Sequence, residues 1–321
     1  MHIPWDDLQV FLAVSEAGSL SAAAKKLRVT QPTVSRRIAE LESSLGEALF
    51  VRTVEGAAPT SFGERLLEPA RRMAEWAAEV DRAAERAETT PRGTVRITAP
   101  PGIAFEFVAP FAAWMATRLP EVTLEVVSTV AYLDLSRRDA DLALRFAAPT
   151  QRDVMVLGKL DLEVGAFASE TYAKTLAKRG RVRIADVRWI AWAPPFDHLS
   201  PNPELSKAIP GFRPSFASDD FLVQLRAAEA GLGAVFLGRV EHRFASAPTL
   251  VEIDVELAPI AQTLFLVGAR GALEIPRVRA VADLLARELA KVVAKTARGE
   301  SHRRSARSRA ASSRRGVAPQ P

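Results

Sequence analysis

Residues 30–46, TQPTVSRRIAELESSLG, carry an apolar stripe at the spacing of an α-helix. The stripe has intervals of four, three and four residues and consists of Val34, Ile38, Leu41 and Leu45. Thr30 is a typical N-cap, and Pro32 suits the first turn, where its missing N–H has no intrahelical partner. The segment therefore predicts a helix that begins near residue 31, with one buried face and one outward face.

The outward face of this helix has the chemistry of a major-groove reader. Arg36 can donate two hydrogen bonds to the O6 and N7 atoms of guanine, and Gln31 can pair with adenine. Pro32 and the methyl group of Thr33 can contact thymine methyls, while Ser35 and the helix N-terminus suit phosphates. Taken alone, an arginine on a helix is more often solvated than bound to DNA. The surrounding sequence is therefore needed to choose between these two interpretations.

The preceding residues supply the partner helix of a helix-turn-helix. A helix is predicted after Trp5, with Asp6 and Asp7 near its N-terminus, and residues 18–19, Gly-Ser, end it. A second, short helix follows to Leu27, and a tight turn leads into the predicted helix at 31. Two short helices in this order, the second amphipathic and basic, favour a DNA-binding module. Arg37 lies nearer the stripe than Arg36, so a phosphate or an intramolecular carboxylate is its expected partner.

The rest of the chain divides into a long helix, an α/β region and a basic tail. Residues 60–88 are rich in Ala, Glu and Arg and end at TTPRG, which predicts one long helix. Residues 93–295 alternate short β-branched runs with helical stretches, which favours an α/β fold. The runs are TVRIT, VTLEVV, LALRF, LEVGAFA, RWIAWA, GAVFL and TLFLVG.

Composition excludes several classes of protein. The chain has 321 residues, of which 48% are apolar and 25% charged, and it contains no cysteine and no stretch of 18 apolar residues. The N-terminus has no signal-peptide pattern, so a cytoplasmic location is expected. The net charge is +5, but residues 296–321 alone carry +6, which leaves −1 for residues 1–295. The basic character therefore belongs to the tail, which is predicted to be disordered.

Many positions in residues 5–63 match a single family at fixed spacing. The matching residues are Trp5-Asp6-Asp7-Leu8, Phe11-Leu12-Ala13-Val14, Gly18-Ser19-Leu20-Ser21, Ala23-Ala24, Leu27, Thr30 to Ile38, Leu41-Glu42, Leu45-Gly46, Leu49-Phe50, Arg52, Thr60 and Gly63. This pattern resembles the N-terminal domain of LysR-type transcriptional regulators. The resemblance implies a winged helix-turn-helix over residues 1–59, all-α apart from a small β wing at 50–60.

The resemblance also assigns the DNA contacts. It makes the helix from residue 31 the recognition helix, and it places Arg52 of the wing against the minor groove or a phosphate. Pro59 departs from the leucine that is usual in this wing. The predicted DNA-binding residues are Thr30, Gln31, Pro32, Thr33, Ser35, Arg36, Arg37 and Arg52.

Residues 60–90 resemble the linker helix through which these regulators dimerise. Their small apolar residues recur at three- and four-residue intervals, as in a coiled-coil seam. The predicted seam consists of Phe62, Leu66, Ala70, Met73, Ala77, Val80, Ala84 and Ala87. The alternative is a surface helix packed on its own domain. Pro69 is expected to kink or break the helix near residues 65–69.

Residues 91–295 resemble the effector-binding domain of the family, which is built like a periplasmic binding protein. The segments that carry the resemblance are residues 93–97, 110–120, 141–145 and 230–233. Two subdomains are implied, the first about 91–164 with 268–295 and the second about 165–267. Ligands of α/β sheets lie at the carboxyl ends of strands, beside helix N-termini. That rule nominates Pro100, Pro101, Gly102, Ser128, Thr129, Phe146, Trp192, Ser218 and Asp219 for the effector, although each could instead be a cap or an apolar wall.

These expectations lead to a cytoplasmic DNA-binding regulator that is controlled by a small molecule. Its expected macromolecular partners are double-stranded DNA and further copies of itself, in a dimer or a tetramer, with RNA polymerase as a further candidate. Its expected effector is a small molecule, with organic acids among the candidates. No catalytic constellation, cofactor motif or metal site is predicted, because the four histidines lack metal-ligand spacing. The alternative is a solute-binding or enzyme-like α/β protein whose helix-turn-helix is only structural.

Overall fold

The computed structural model of the protein describes residues 3–53, 56–85, 90–177, 182–245, 249–256 and 260–292. The chain forms two compact units, Met1–Glu85 and Arg86–Pro321. The predicted basic tail, residues 296–321, and Ala87 of the predicted seam lie outside the described residues. In the described ranges, no helix combines the length and the apolar character that crossing a bilayer requires.

The N-terminal unit begins with three helices whose ends follow the predicted signals. They are α1 Trp5–Ala17, α2 Leu20–Leu27 and α3 Gln31–Leu45. Gly18 and Gly46 follow α1 and α3 with φ of +68° and +73°, a conformation that glycine adopts without steric cost. The side chains of Ser19 and Thr30 accept hydrogen bonds from the backbone N–H groups of Ala22 and Thr33 and so cap α2 and α3.

A β-hairpin and a long helix complete this unit. Strands β1 Phe50–Thr53 and β2 Gly56–Pro59 pair antiparallel, with Phe50 opposite Pro59, so the wing forms despite the proline. Helix α4 spans Ser61–Glu85 and continues through Pro69 without the expected break. Leu66 and Ala70 pack on the core of this unit on either side of the proline, which holds the helix together there.

The C-terminal unit is built on a seven-stranded mixed sheet. Its strands are β3 Gly93–Ala99, β4 Val122–Ser128, β5 Leu142–Arg145, β6 Val154–Ala168, β9 Ala234–Gly238, β10 Val251–Ile253 and β11 Ile260–Ala269. The order is β10-β6-β11-β5-β3-β4, and β9 also pairs with β6. Strand β3 is parallel to β4 and β5, whereas β6 and β11 pair antiparallel from Val154↔Ala269 to Val164↔Ile260.

Shorter elements surround this sheet. The helices are α5 Pro101–Ile103, α6 Ala109–Ala116, α7 Glu170–Ala177, α8 Asn202–Ala208, α9 Phe221–Glu229 and α10, residues 276–292. A wider helical turn, Ala104–Val108, joins α5 to α6. Strands β7 Ile190–Trp192 and β8 Phe216–Ser218 form a separate parallel pair.

Separate apolar cores divide the C-terminal unit into two lobes. The core of the first lobe includes Phe111, Leu142 and Leu266, and α10 packs into it through Val281 and Leu285. The main core of the second lobe includes Trp189, Leu205 and Phe236. The long strands β6 and β11 contribute to both cores, so residues 165 and 267, where the subdomains were expected to meet, lie inside continuous strands.

Candidate functional site

Helix α3 presents a polar outer surface that its buried stripe fixes in place. Val34, Ile38 and Leu41 are buried in the core of the N-terminal unit. Gln31 and Arg36 lie exposed on the other side. Because the stripe is anchored by three core side chains, the outer surface is held in one orientation, as groove reading requires.

The two arginines of α3 differ in their surroundings. Arg36 is exposed, and its Nε lies 3.8 Å from Oε1 of Glu40 one turn later, an ion pair that is weak at the surface. Arg37 is half-buried, and within the described residues it forms no ion pair with a carboxylate. Arg36 can therefore exchange Glu40 for another acceptor at little cost. Of the two partners predicted for Arg37, a carboxylate of the protein or a phosphate, only the phosphate remains.

The wing is tied directly to α3 and to the turn after α1. Oε1 of Glu42 accepts hydrogen bonds from the N–H groups of Leu49 (2.7 Å) and Phe50 (3.2 Å). The N–H of Ala57 donates to the carbonyl oxygen of Gly18 at 2.8 Å. Arg52 lies in β1 opposite Ala57. These contacts set the wing at a fixed position beside α3.

The predicted seam residues of α4 lie in two different environments. Phe62, Leu66 and Ala70 pack against the core of the N-terminal unit. Met73, Val80 and Ala84 are exposed, and Val80 has 70% of its surface accessible, whereas Ala77 is half-buried. Trp76, which the seam did not include, is 72% exposed and lies one turn from Val80. Met73, Trp76, Val80 and Ala84 form an exposed apolar stripe at three- and four-residue spacing.

A cavity of about 1460 Å³ lies in the C-terminal unit, with walls from both lobes. Six of the nine predicted effector residues line it, namely Pro100, Pro101, Gly102, Thr129, Phe146 and Trp192. Ser128, Ser218 and Asp219 are described by the structure but do not line it. Gly102 packs against Phe221 of α9, and a Cβ on Gly102 would lie 2.7 Å from that ring, so its lack of a side chain makes room.

Ser218 is used in the local structure at the start of α9. Its hydroxyl accepts the N–H of Asp220 (3.1 Å), and its carbonyl accepts Nε2 of Gln224 (2.7 Å). The helix cap is Asp220, whose Oδ1 accepts the N–H of Leu222 at 2.8 Å. The Ser218 hydroxyl, which the strand-end rule nominates for a ligand, therefore accepts a hydrogen bond within the protein.

Two arginines of the cavity wall pair with carboxylates of the same wall, and Glu106, Asp161 and Glu241 line it outside these pairs. Arg239 contacts Glu163 at 2.9 Å and Glu252 at 2.8 Å. Arg226 contacts Glu229 at 3.0 Å, and hydrogen bonds from Thr249 and then from Arg226 lower the pKa of the Glu229 carboxyl. Both arginines are therefore already paired, and neither offers an unpaired positive charge to an anionic ligand.

Arg145, at the end of β5, lines the same cavity and was not predicted as a ligand residue. Only 5% of its surface is exposed, and burial lowers the pKa of its guanidinium, although Tyr132 acts in the opposite direction. Its Nε donates to no atom in the described part of the protein. An arginine that ends an otherwise apolar strand, LALR, was the available signal in the sequence.

Comparison with known families decides the classification. Residues 5–64 match the model described as "Bacterial regulatory helix-turn-helix protein, lysR family". Residues 88–290, more than half of the chain, match the model of the LysR substrate binding domain. The chain belongs to the LysR family. The predicted family and the predicted fold class are thereby confirmed.

Individual relatives are similar over part of this LysR-family chain. An HTH-type transcriptional regulator of Xanthomonas campestris pv. campestris is 33% identical over 167 residues, 52% of this chain and 48% of the relative. The Mau operon transcriptional activator of Paracoccus denitrificans is 36% identical over 145 residues, 45% of this chain and 51% of that protein. The chain thus spans about half the length of these curated relatives.

A solved structure supports the fold over nearly the whole chain. The full-length virulence activator AphB of Vibrio cholerae, described as a member of the LTTR protein family, aligns with a TM-score of 0.53 at 20% identity. The alignment covers 88% of this chain and 98% of AphB. At this identity the similarity establishes the architecture alone.

Proposed function

We propose that this LysR-family protein is a transcriptional regulator that binds double-stranded operator DNA through α3 and responds to a small organic molecule in the two-lobed cavity. The observation that carries the proposal is the geometry of α3. Its apolar stripe is buried, while Gln31, Pro32 and Arg36 lie exposed at the N-terminal half of the helix. In helix-turn-helix proteins, this half of the recognition helix reaches base edges in the major groove.

The proposed contacts divide into base reading and positioning. Arg36 reads guanine and Gln31 reads adenine, because each offers the hydrogen-bonding pattern that matches its base. Thr30, Thr33, Ser35 and Arg37 contact phosphates or thymine methyls beside them, and Arg52 of the wing contacts the backbone or the minor groove. The names of the two curated relatives, a transcriptional regulator and a transcriptional activator, agree with this role.

Arg36→Ala should weaken binding to the cognate operator by about 1–3 kcal/mol, which is about fivefold to more than a hundredfold, and should relax preference at one base pair. The operator is first obtained by selecting bound fragments from the source genome with the wild-type protein. Mobility shift and footprinting then compare Arg36→Ala with Arg71→Ala, an exposed arginine on α4. Equal operator affinity of the wild type and Arg36→Ala would contradict the assignment of α3.

The exposed stripe of α4 is the proposed homodimer interface. Met73, Trp76 and Val80 present large apolar surface to solvent, and a second copy of α4 would bury it. A dimer presents two copies of α3 to a two-fold symmetric operator, and a dimer of dimers would present four.

Trp76→Ala should raise the dimer dissociation constant by about tenfold to a hundredfold, because buried tryptophans are typical hot spots of interfaces. Analytical ultracentrifugation of the full chain measures this change. Arg71→Ala, on the opposite side of α4, is the matched control and should leave association unchanged. A monomeric wild type, or an unchanged constant in Trp76→Ala, would exclude this surface as the interface.

The cavity is the proposed effector site, with organic acids among its candidate ligands. Walls from two lobes allow a ligand to bind one lobe arrangement more tightly than another, and this difference in affinity is what a ligand needs to shift the equilibrium. The effector would then change the placement of the DNA-binding units in the dimer. If the outcome is activation, as the name of the Paracoccus relative indicates for that protein, RNA polymerase is the further partner.

A further inference from the structure

Arg145 is a buried cation without a carboxylate partner in the described part of the protein. It ends β5, whose four residues Leu142–Arg145 are all buried, and 95% of its own surface is inaccessible. Its closest polar contact joins Nη2 to Oε1 of Gln151 at 3.5 Å, the limit of a hydrogen bond. The Tyr132 ring centroid lies 5.8 Å from the guanidinium carbon. Neither contact neutralises the charge.

Such an arrangement is unfavourable unless something else binds there. Burying an ionised side chain carries a large desolvation cost that only a counter-charge or several hydrogen bonds offset. The guanidinium has five N–H donors, and its Nε–H has no acceptor among the described residues. A carboxylate would supply both the negative charge and acceptors in the geometry of a two-point contact.

The other arginines around the cavity do not compete for an anion in the same way. Arg239 lies between Glu163 and Glu252, and Arg226 pairs with Glu229. A second negative charge on the ligand would therefore meet cations that are already paired, with carboxylates beside them. This distribution favours a ligand with a single anionic group.

Aromatic side chains surround the remaining space. Phe105, Tyr132 and Phe146 line the cavity and are exposed, although large apolar side chains are usually buried. On the second lobe, the rings of Trp192 and Phe221 lie 6.3 Å apart in the same wall. Exposed aromatic surface inside a cleft is typical of a site for an apolar, planar ligand.

We propose that Arg145 binds the carboxylate of an aromatic monocarboxylate whose ring packs among Phe105, Phe146 and Trp192. The inference deepens the proposed effector site and rests on it for the regulatory meaning of the ligand. Binding itself involves only the C-terminal unit and can be measured without DNA. The competing explanation for the buried arginine is a purely structural role. Ligand binding and a structural role predict different effects of an Arg145 substitution on stability.

The binding experiment uses the full-length protein and isothermal titration with benzoate, phenylacetate and indole-3-acetate at up to millimolar concentration. At least one of the three should bind. Its uncharged amide should bind at least tenfold more weakly, and the dianion terephthalate should bind more weakly than benzoate. Absence of binding by all three monocarboxylates, or equal binding of acid and amide, would overturn the proposal.

Variants separate ligand binding from structure. Arg145→Met removes the charge at similar length, so carboxylate binding should fall at least tenfold while the thermal midpoint stays the same or rises. Arg145→Lys keeps a charge without the two-point geometry and should bind with intermediate affinity. Arg226→Met, in the same cavity wall, should bind as the wild type does.

The outcomes also distinguish failure of this inference from failure of the proposed function. A marked fall in the thermal midpoint of Arg145→Met, with unchanged carboxylate affinity, would assign Arg145 a structural role and overturn the inference. Arg36→Ala should lose operator binding yet keep carboxylate binding. If the wild type bound no operator but bound the carboxylate through Arg145, the ligand site would stand and the DNA-binding proposal would fail.

Discussion

Leu41→Ala should lower the free energy of unfolding of the N-terminal unit by about 2–5 kcal/mol, the range for truncating a buried leucine. Leu41 is 1% exposed and lies in one core with Phe11, Val34 and Leu49. Domains are stable by only about 5–15 kcal/mol, so this single change removes a large part of the stability. Because Leu41 anchors α3, the proposed recognition helix, we expect operator affinity to fall together with stability.

Hydrogen exchange in the full-length protein can localise this effect. Protection of the amides of α3 should fall in Leu41→Ala, while protection of β3 and β5 in the C-terminal unit should not change. Ser43→Ala lies on the same helix at an exposed position and is the matched control. Retention of wild-type protection in α3 by Leu41→Ala would mean that this helix is held by contacts other than its apolar stripe.

The N-terminal unit was largely predictable because its determinants are local. The cap at Thr30, the glycine after Leu45 and the spacing of the stripe all lie within 17 residues of one another, and each acts through its nearest turn. The continuity of α4 through Pro69 was not predictable in the same way. It depends on Leu66 and Ala70 packing against residues far away in the sequence.

The strands were predictable where long apolar runs form them. Each of the seven runs identified in the sequence overlaps a strand of the structure, although LALRF, RWIAWA and GAVFL extend one or two residues beyond theirs. The three-residue strands β8 and β10 were missed, because so short a segment carries no periodicity and is defined by its partner, β7 in one case and β6 in the other. Strand β6 also begins at Val154, earlier than its run, where pairing with β11 extends it.

The prediction of cavity residues has the same limit, because features that depend on distant contacts are not visible in the sequence. The strand-end rule found Thr129, Phe146 and Trp192 because each lies at the carboxyl end of a strand, β4 and β5 in the large sheet and β7 in the smaller one. It could not find Arg145 as an unpaired buried charge, because burial and the lack of a counter-ion are properties of the folded structure. It also nominated Ser218, whose hydroxyl the start of α9 uses instead.

Trp189→Ala should destabilise the second lobe by about 3–5 kcal/mol, since it empties the space of the largest buried side chain there. Trp189 is 2% exposed, and its ring stacks on Phe236 with centroids 4.7 Å apart. Its Nε1 also donates to the carbonyl oxygen of Ile184 at 2.9 Å. Amide exchange should accelerate in β7 and β9, and the midpoint of urea unfolding should fall.

Trp189→Phe separates the two contributions to this effect. Phenylalanine keeps a ring against Phe236 but cannot donate to Ile184, so its loss includes the hydrogen bond, about 0.5–1.5 kcal/mol, and a smaller cavity than alanine leaves. The expected order of stability is wild type, then Trp189→Phe, then Trp189→Ala, measured by urea unfolding of the full chain. Equal destabilisation by both variants would assign the role of Trp189 to its hydrogen bond, and the second lobe would then depend less on aromatic packing than its buried core indicates.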